Sequence, residues 1–210
     1  MEDVVSVYLR PHDPARPLVC LDEGSKELRG DVRAPVPSGP GQSARIDTEY
    51  ARGGATSFFL WCAPLDGRRG VRVTGRRTRR EFAETIRDLV EVQFPDAERI
   101  VLVMDNLNTH TAAALYETFP PALAKRLWDT LEVHYTPKHG SWLNMAEIEL
   151  SVLGRQCLER RIPDEATLTD EIAAWVAARN ASGGRIRWQF TTEDARIKLW
   201  HLYPVLEPDR

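Results

Sequence analysis

The stretch Ile100–His110, IVLVMDNLNTH, decides the fold. Ile100 to Met104 form an unbroken apolar run rich in β-branched side chains, the pattern of a short strand covered on both faces. Asp105 follows at once, and Asn106, Asn108 and Thr109 end the run with turn chemistry. An aspartate is thereby held at the C-terminal mouth of a central strand, where open α/β sheets carry their ligands. A carboxylate in that position is solvated, paired or bound to a cation, because burying it bare is too costly.

Working outward, Pro17–Asp22 (PLVCLD) is a second apolar run that closes on a carboxylate, and Glu23, Gly24 and Ser25 read as the turn after it. Residues 1–16, with Pro11 and Pro14, read as a polar arm or linker remnant ahead of a domain spanning 17–205. Arg33–Gly41 is a Pro/Gly loop, and Ser43–Tyr50 alternates weakly. Ala55–Pro64 is a strongly apolar strand and Val71–Thr74 a short alternating one, joined by a hairpin turn at Asp66–Gly70. The period then changes. Phe82, Ile86, Leu89, Val90 and Val92 recur at helical spacing behind a Thr78/Glu81 capping box. Beyond the central strand, Thr111–Phe119 and Ala122–Trp128 read as helical, interrupted by Pro120 and Pro121, and Leu131–Tyr135 as a strand. A long helix is predicted over Ser141–Arg160, with Ser141 as its N-cap, and another from Thr167 to Arg179. Trp188, Phe190, Trp200 and Tyr203 mark a tail that packs back. Three antiparallel strands followed by alternating helices and strands predict an α/β, ribonuclease H-like mixed sheet with helices on both faces.

The 210-residue chain is long enough for one sizeable core, and its net charge of −3 excludes a global basic field. Any nucleic-acid surface is therefore a local patch. Cys20, Cys62 and Cys157 are widely spaced without a CxxC, which argues against a zinc ribbon or disulfide framework and for a reducing compartment. No apolar run reaches membrane-spanning length and no signal-peptide pattern follows Met1, so the expectation is a cytoplasmic protein with no membrane partner.

In the expected strand order, the runs ending at Asp22 and Asp105 are parallel neighbours. Two carboxylates that close repel unless a cation lies between them, and Mg²⁺ takes carboxylate oxygens while keeping sites for water and phosphate. Either aspartate alone also fits a plain strand-end turn residue. For a third carboxylate the long helix offers Glu147 and Glu149, on opposite edges of the arc formed by Trp142, Leu143, Ala146, Leu150, Leu153 and Cys157. Asn144, Glu147 and Ser151 make the more continuous polar stripe, which favours Glu147. His110 and His139 are candidate auxiliary groups; His110 is equally readable as a helix-start histidine facing solvent, and His139 sits in the loop before the last helix. Arg68, Arg69, Arg72, Arg76, Arg77, Arg79 and Arg80 crowd a hairpin and a helix start; they form either a solvated face or a phosphate-contacting ridge. Of these, Arg68, Arg69, Arg76, Arg77, Arg79 and Arg80, together with Asn144, are the candidate DNA contacts. Trp142 reads as a helix anchor more than a base-stacking group, and Cys20 as a buried small residue.

Three blocks in order, LDEGSKE from Leu21, VMDNLNTH from Val103 and TPKHGSWLNMAEIE from Thr136, resemble the catalytic blocks of bacterial insertion-sequence transposases of the mariner superfamily of DDE enzymes. The likeness covers nearly the whole chain and includes the FTTEDAR stretch, Phe190–Arg196. It implies a metal-binding triad of Asp22, Asp105 and Glu147, with Leu143–Glu147 standing where relatives carry Leu-Asn-Pro-Ile-Glu. It also implies two Mg²⁺ ions, replaceable by Mn²⁺, that cleave transposon-end DNA and transfer the freed 3′-hydroxyl to target DNA at a TA step. The working form it implies is a homodimer on paired ends, or a pairing with a full-length transposase. Two departures stand out. The Asp105–Glu147 spacing is longer than in many relatives, and Pro120–Trp128 is expected to absorb the excess as an outward loop. The helix-turn-helix modules that relatives carry ahead of the first aspartate are expected to be absent. The alternatives left open are a catalytically silent remnant that binds DNA or a partner, and a non-specific nuclease of the same fold.

Overall fold

A computed structural model describes residues 1–43, 45, 47–138, 140–200 and 203. Strands β1 (Leu18–Asp31), β2 (Tyr50–Ala63) and β3 (Arg68–Thr74) form an antiparallel meander. Strands β4 (Ile100–Met104) and β5 (Leu131–Tyr135) add in parallel on the other side of β1, giving the order β3-β2-β1-β4-β5. This is the ribonuclease H-like mixed sheet expected from the element order. Every residue of β4 is buried, so its two faces feed two separate cores.

Ile100, Leu102 and Met104 of β4, with Val19 and Leu21 of β1, face helices α2 (Arg79–Asp88), α3 (Ala112–Thr118) and α4 (Pro121–Asp129). Val101 and Val103, with Cys20, face α1 (Glu2–Tyr8), α5 (Ala146–Leu153) and α6 (Glu165–Ala181). Each such aliphatic side chain stabilises the fold by roughly 1.5–3 kcal/mol on burial, which makes the central strands the most strongly determined part of the sheet. The Thr78/Glu81 capping box closes the start of α2 as predicted, and Asp164 caps α6 by accepting from the Thr167 N–H.

Several elements depart from the sequence reading, each for a local reason. Residues 2–8 are a helix, not a polar arm: Val4, Val5, Val7 and Tyr8 share one face and are buried against the sheet. Glu23, Gly24 and Ser25 continue β1 and make no turn. Gly24 is there for close approach, since a Cβ would sit 2.5 Å from the ring of Phe58 on β2. The hairpin turn falls earlier, at residues 64–67 with Gly67 at φ +70°, so Arg68 and Arg69 belong to β3. The expected outward loop at Pro120–Trp128 is helix α4, packed inward through Ala124 and Leu127. The single helix expected over Ser141–Arg160 is three pieces: a 3₁₀ turn (Ser141–Leu143), α5, and a π-helical turn (Gly154–Leu158). Ser141 caps nothing, because Asn144 is extended (φ −81°, ψ 114°) and breaks the run. Trp188 and Phe190 pack on the α1/α5 core and the Tyr203 hydroxyl donates to Glu2, whereas Trp200 beyond α7 (Thr192–Lys198) stays 70% exposed.

Candidate active site

Strand register brings the two aspartates together. β1 and β4 pair as Leu18↔Val101, Val19↔Leu102 and Cys20↔Val103. Carried two residues further, the same register sets Asp22 level with Asp105, just past the end of β4. Asp22 is 8% exposed, and its carboxyl is pushed up to about 7. Burial is the main cause, and the charges of Glu147, Asp105 and Glu23 add to it. A hydrogen bond donated by the Glu23 N–H to Asp22 Oδ1 (2.8 Å) works the other way.

Asn144 delivers the third carboxylate. Its side-chain amide donates to the Leu21 carbonyl (2.8 Å) and to Asp22 Oδ2 (3.3 Å), and its Oδ1 accepts from the Ala146 N–H (3.1 Å). One fully buried side chain thus ties the start of α5 to β1 beside Asp22. Tyr8 braces the same junction, its hydroxyl donating to the Leu143 carbonyl (2.6 Å). Glu147, in the first turn of α5, is half-buried and near enough to Asp22 to raise its pKa. Asn144, expected as a DNA contact, is therefore internal and positions the backbone.

Glu147 and Glu149 face different surroundings. Glu149 is fully buried, with Oε1 accepting from Arg179 (2.8 Å) and Oε2 lying 3.2 Å from Arg69 Nε. Arg69, also buried, donates to the carbonyls of Arg179 (2.9 Å) and Gly184 (2.6 Å). Arg69 is thus a cross-link between β3, α5 and α6, which corrects its expected role as a DNA contact.

His110 completes the cluster. It is fully buried and stacked on Phe82, with ring centroids 4.6 Å apart. Its Nε2 lies 3.2 Å from Glu23 Oε2. Its Nδ1 is 2.6 Å from Asp105 Oδ1 but better aligned on the Asp105 carbonyl (3.3 Å). Burial opposes the charged imidazole, but the bonds to Asp105 and Glu23 outweigh it and raise the pKa to about 9. Sequence reasoning missed Glu23, which was assigned to a turn. The available signal was its position next to Asp22 in a strand, on the opposite face. His139 lies outside the described residues.

A family model described as DDE superfamily endonuclease matches residues 17–169. The chain belongs to this family. No curated protein matches it. Among solved structures, a Mos1 mariner paired-end complex with Mn is similar at a TM-score of 0.55 and 19% identity, over 88% of this chain and 60% of that one. A Mos1 strand transfer complex is similar at 0.56 and 18%, over 88% and 59%.

 The covered share of the Mos1 chain is 59% in that strand transfer complex and 60% in a pre-cleavage Mos1 transpososome, which has the same TM-score and identity. These likenesses show a shared ribonuclease H-like fold, and the chain spans less than two thirds of the Mos1 chains it matches.

The remaining arginines of this DDE-family chain lie at the surface with different degrees of engagement. Arg68 sits over the ring of Phe94 (4.9 Å) and donates to the Gln93 carbonyl. Arg72 pairs with Glu84 (2.7 Å), Arg77 with Glu23 (3.5 Å), Arg79 with Glu117 and Arg80 with Glu84 (3.2 Å). Arg76 is exposed and makes no ion pair among the described residues. Trp142 is 46% exposed and meets Phe190 edge-on at 5.9 Å, a contact that anchors the turn before α5.

Among the described residues, no three His, Cys, Asp or Glu side chains already stand at metal-holding geometry. The donor chemistry nevertheless fits a hard divalent cation. Asp22 is crowded by three other carboxylates. A cation bound between these oxygens would relieve the repulsion. Asp22, Asp105 and Glu147 are the residues that would hold it.

Proposed function

We propose that this chain is the catalytic domain of a DDE transposase. It cleaves a DNA phosphodiester at a transposon end and joins the freed 3′-hydroxyl to target DNA. The observation that carries this reading is the Asn144 clasp: one buried amide holds the α5 start against Asp22, whose carboxyl feels the charges of both Glu147 and Asp105 at the C-terminal end of β4. Membership of the DDE endonuclease family supports the reaction class. The Mos1 proteins of the same fold were seen with Mn and with Mg, in paired-end and strand transfer complexes, which supports both the metal and the DNA substrate.

When bound there, a pair of Mg²⁺ or Mn²⁺ ions would supply an activated water and charge neutralisation at the attacking and leaving oxygens. The chain's own contribution is position. Asp22 and Asp105 are fixed by strand register, Glu147 by the Asn144 clasp, and the Asp105 backbone and carboxylate by His110, which Glu23 orients from behind. No side chain forms a covalent bond to the DNA in this scheme. Two domains acting together, each on one transposon end, form the working unit, either as a homodimer or with a longer relative.

The test is Mn²⁺-dependent nicking and strand joining with a pre-cleaved DNA end and a supercoiled target plasmid. Joining by the wild type that disappears in Asp105→Ala and Glu147→Gln supports the proposal. Binding without joining identifies a silent remnant, and cleavage without joining identifies a nuclease; either result overturns it.

A further inference from the structure

A cavity of about 190 Å³ lies at the end of the sheet opposite the carboxylate cluster. β1 and β4 are parallel, with Leu18 beside Val101, so both strands start here and run toward Asp22 and Asp105. Leu18 and Val101 line the cavity together with Val7 of α1 and Leu65 of the β2–β3 turn. Val7, Leu18 and Val101 are all buried, which makes the floor apolar. An apolar cavity of about 150 Å³ already takes up a benzene ring. This one has room for a single ring or a branched aliphatic chain with a short polar extension.

The mouth is charged. The segment between α1 and β1 contributes Arg10 and Arg16 to the wall. The two guanidinium groups converge on one acid of β5: Arg10 donates to Glu132 Oε1 (2.6 Å) and Arg16 to Glu132 Oε2. The Arg10 hydrogen bond, opposed by burial and joined by bonds from His134 and Arg16, holds the Glu132 carboxyl down to about 2, so it stays ionised. Glu132 nonetheless takes one nitrogen from each arginine, and a guanidinium carries five N–H donors. With side chains 43% and 47% exposed, Arg10 and Arg16 have donors left over at the mouth for a second carboxylate. The acid in the wall, Asp13, has its Oδ1 occupied by the Ala15 N–H (2.9 Å).

The segment is held in one shape around this space. Pro11 and Pro14 restrict its backbone. The Arg16 N–H donates to the Asp13 carbonyl (3.0 Å), and the Glu98 N–H, on the approach to β4, donates to the Ala15 carbonyl (2.9 Å). His12 pairs with Asp66 on the β2–β3 turn. The mouth is thereby tied to β5, to the start of β4 and to the hairpin, and the cavity is formed before anything enters it. A pre-formed apolar hollow with a few polar groups at its rim is the common form of a small-molecule site.

We propose that this cavity binds a small hydrophobic carboxylate, with its ring or branched chain on Val7, Leu18, Leu65 and Val101 and its carboxylate on Arg10 and Arg16. The site stands apart from the Asp22–Asp105–Glu147 cluster and does not depend on how that cluster is read. The probe is 4-fluorophenylacetate, followed by fluorine NMR titration of the full chain. Saturable binding with a Kd of about 1 mM is expected. The neutral 4-fluorophenylacetamide, which cannot make the charge-assisted bonds, is expected to bind about tenfold more weakly. Replacing both arginines, Arg10→Gln with Arg16→Gln, is expected to erase that preference for acid over amide with little change in melting temperature, because exposed ion pairs add little stability. Leu65→Trp fills the cavity and is expected to abolish binding of both compounds. No saturation of the wild type by about 10 mM probe, equal binding of acid and amide, or undiminished binding to folded Leu65→Trp each overturns the proposal. Should Leu65→Trp fail to fold, the preference for the acid and its loss in the arginine variant decide the matter.

Discussion

Glu147 and Glu149 lie two residues apart on one helix, and the structure predicts opposite consequences for replacing them. Glu149 and Arg69 each have side chains only 1% exposed, with Arg179 at 26% completing the cluster. Glu149→Gln removes the negative charge and leaves the Arg69 guanidinium buried with carbonyl partners but no counter-ion. Breaking a buried pair from one side costs about 3–5 kcal/mol. Water reaching Arg179 softens this, so we expect about 3 kcal/mol, or roughly 6–12 °C in melting temperature for a domain of this size. Glu147→Gln instead removes one of the charges that disfavour ionised Asp22. The metal-free variant is expected to be as stable as the wild type or more so, by about 1 kcal/mol or less. Urea unfolding followed by circular dichroism, at neutral pH in a chelator, measures both. Replacing the pair together, Arg69→Met with Glu149→Leu, is expected to recover most of the loss, since well-packed apolar groups substitute for buried ion pairs. A Glu149→Gln cost below about 1 kcal/mol, or a Glu147→Gln cost equal to it, refutes the division of labour between the two glutamates.

Asp22 makes the metal-free protein sensitive to pH. Its carboxyl lies near 7 in the folded chain against 3.8 ordinarily, so the folded state binds more protons between those values and stability falls as pH rises through them. Asp22→Asn is expected to flatten that part of the pH–stability profile, and added Mg²⁺ to raise wild-type stability most at the alkaline end. His110→Asn removes the bridge between Asp105 and Glu23; calorimetry is expected to show Mn²⁺ affinity lower by about 10–100-fold, and unchanged affinity would mean that Asp105 needs no such support. Gly24→Ala drives a methyl into the Phe58 ring, at an expected cost of about 1–3 kcal/mol, and a second change, Phe58→Leu, should return much of it in thermal melts.

Much of this arrangement was legible in the residues themselves. β4 and β5 have the predicted limits, because an apolar run bounded by turn-formers leaves little choice of register or length. The Thr78/Glu81 cap was readable for the same reason: its hydrogen bonds are local. Reading failed where distant partners changed the meaning of a residue. Gly24 signals a turn until Phe58 lies across it, and Asn144 reads as an exposed helix residue until Leu21 and Asp22 claim its amide. Arg69 belonged by composition to a basic surface run, but Glu149 draws it inside.

The order of strands and helices, and the aspartates that close two apolar runs, were determined by the chain alone, since hydrophobic period and turn chemistry act over a few residues. That Glu149 and Arg69 are buried against each other, and that Glu23 and His110 stand beside Asp105, were decided only in the folded molecule. Those outcomes depend on charges and hydrogen-bond partners far apart along the chain, whose pairing energies have no local signature.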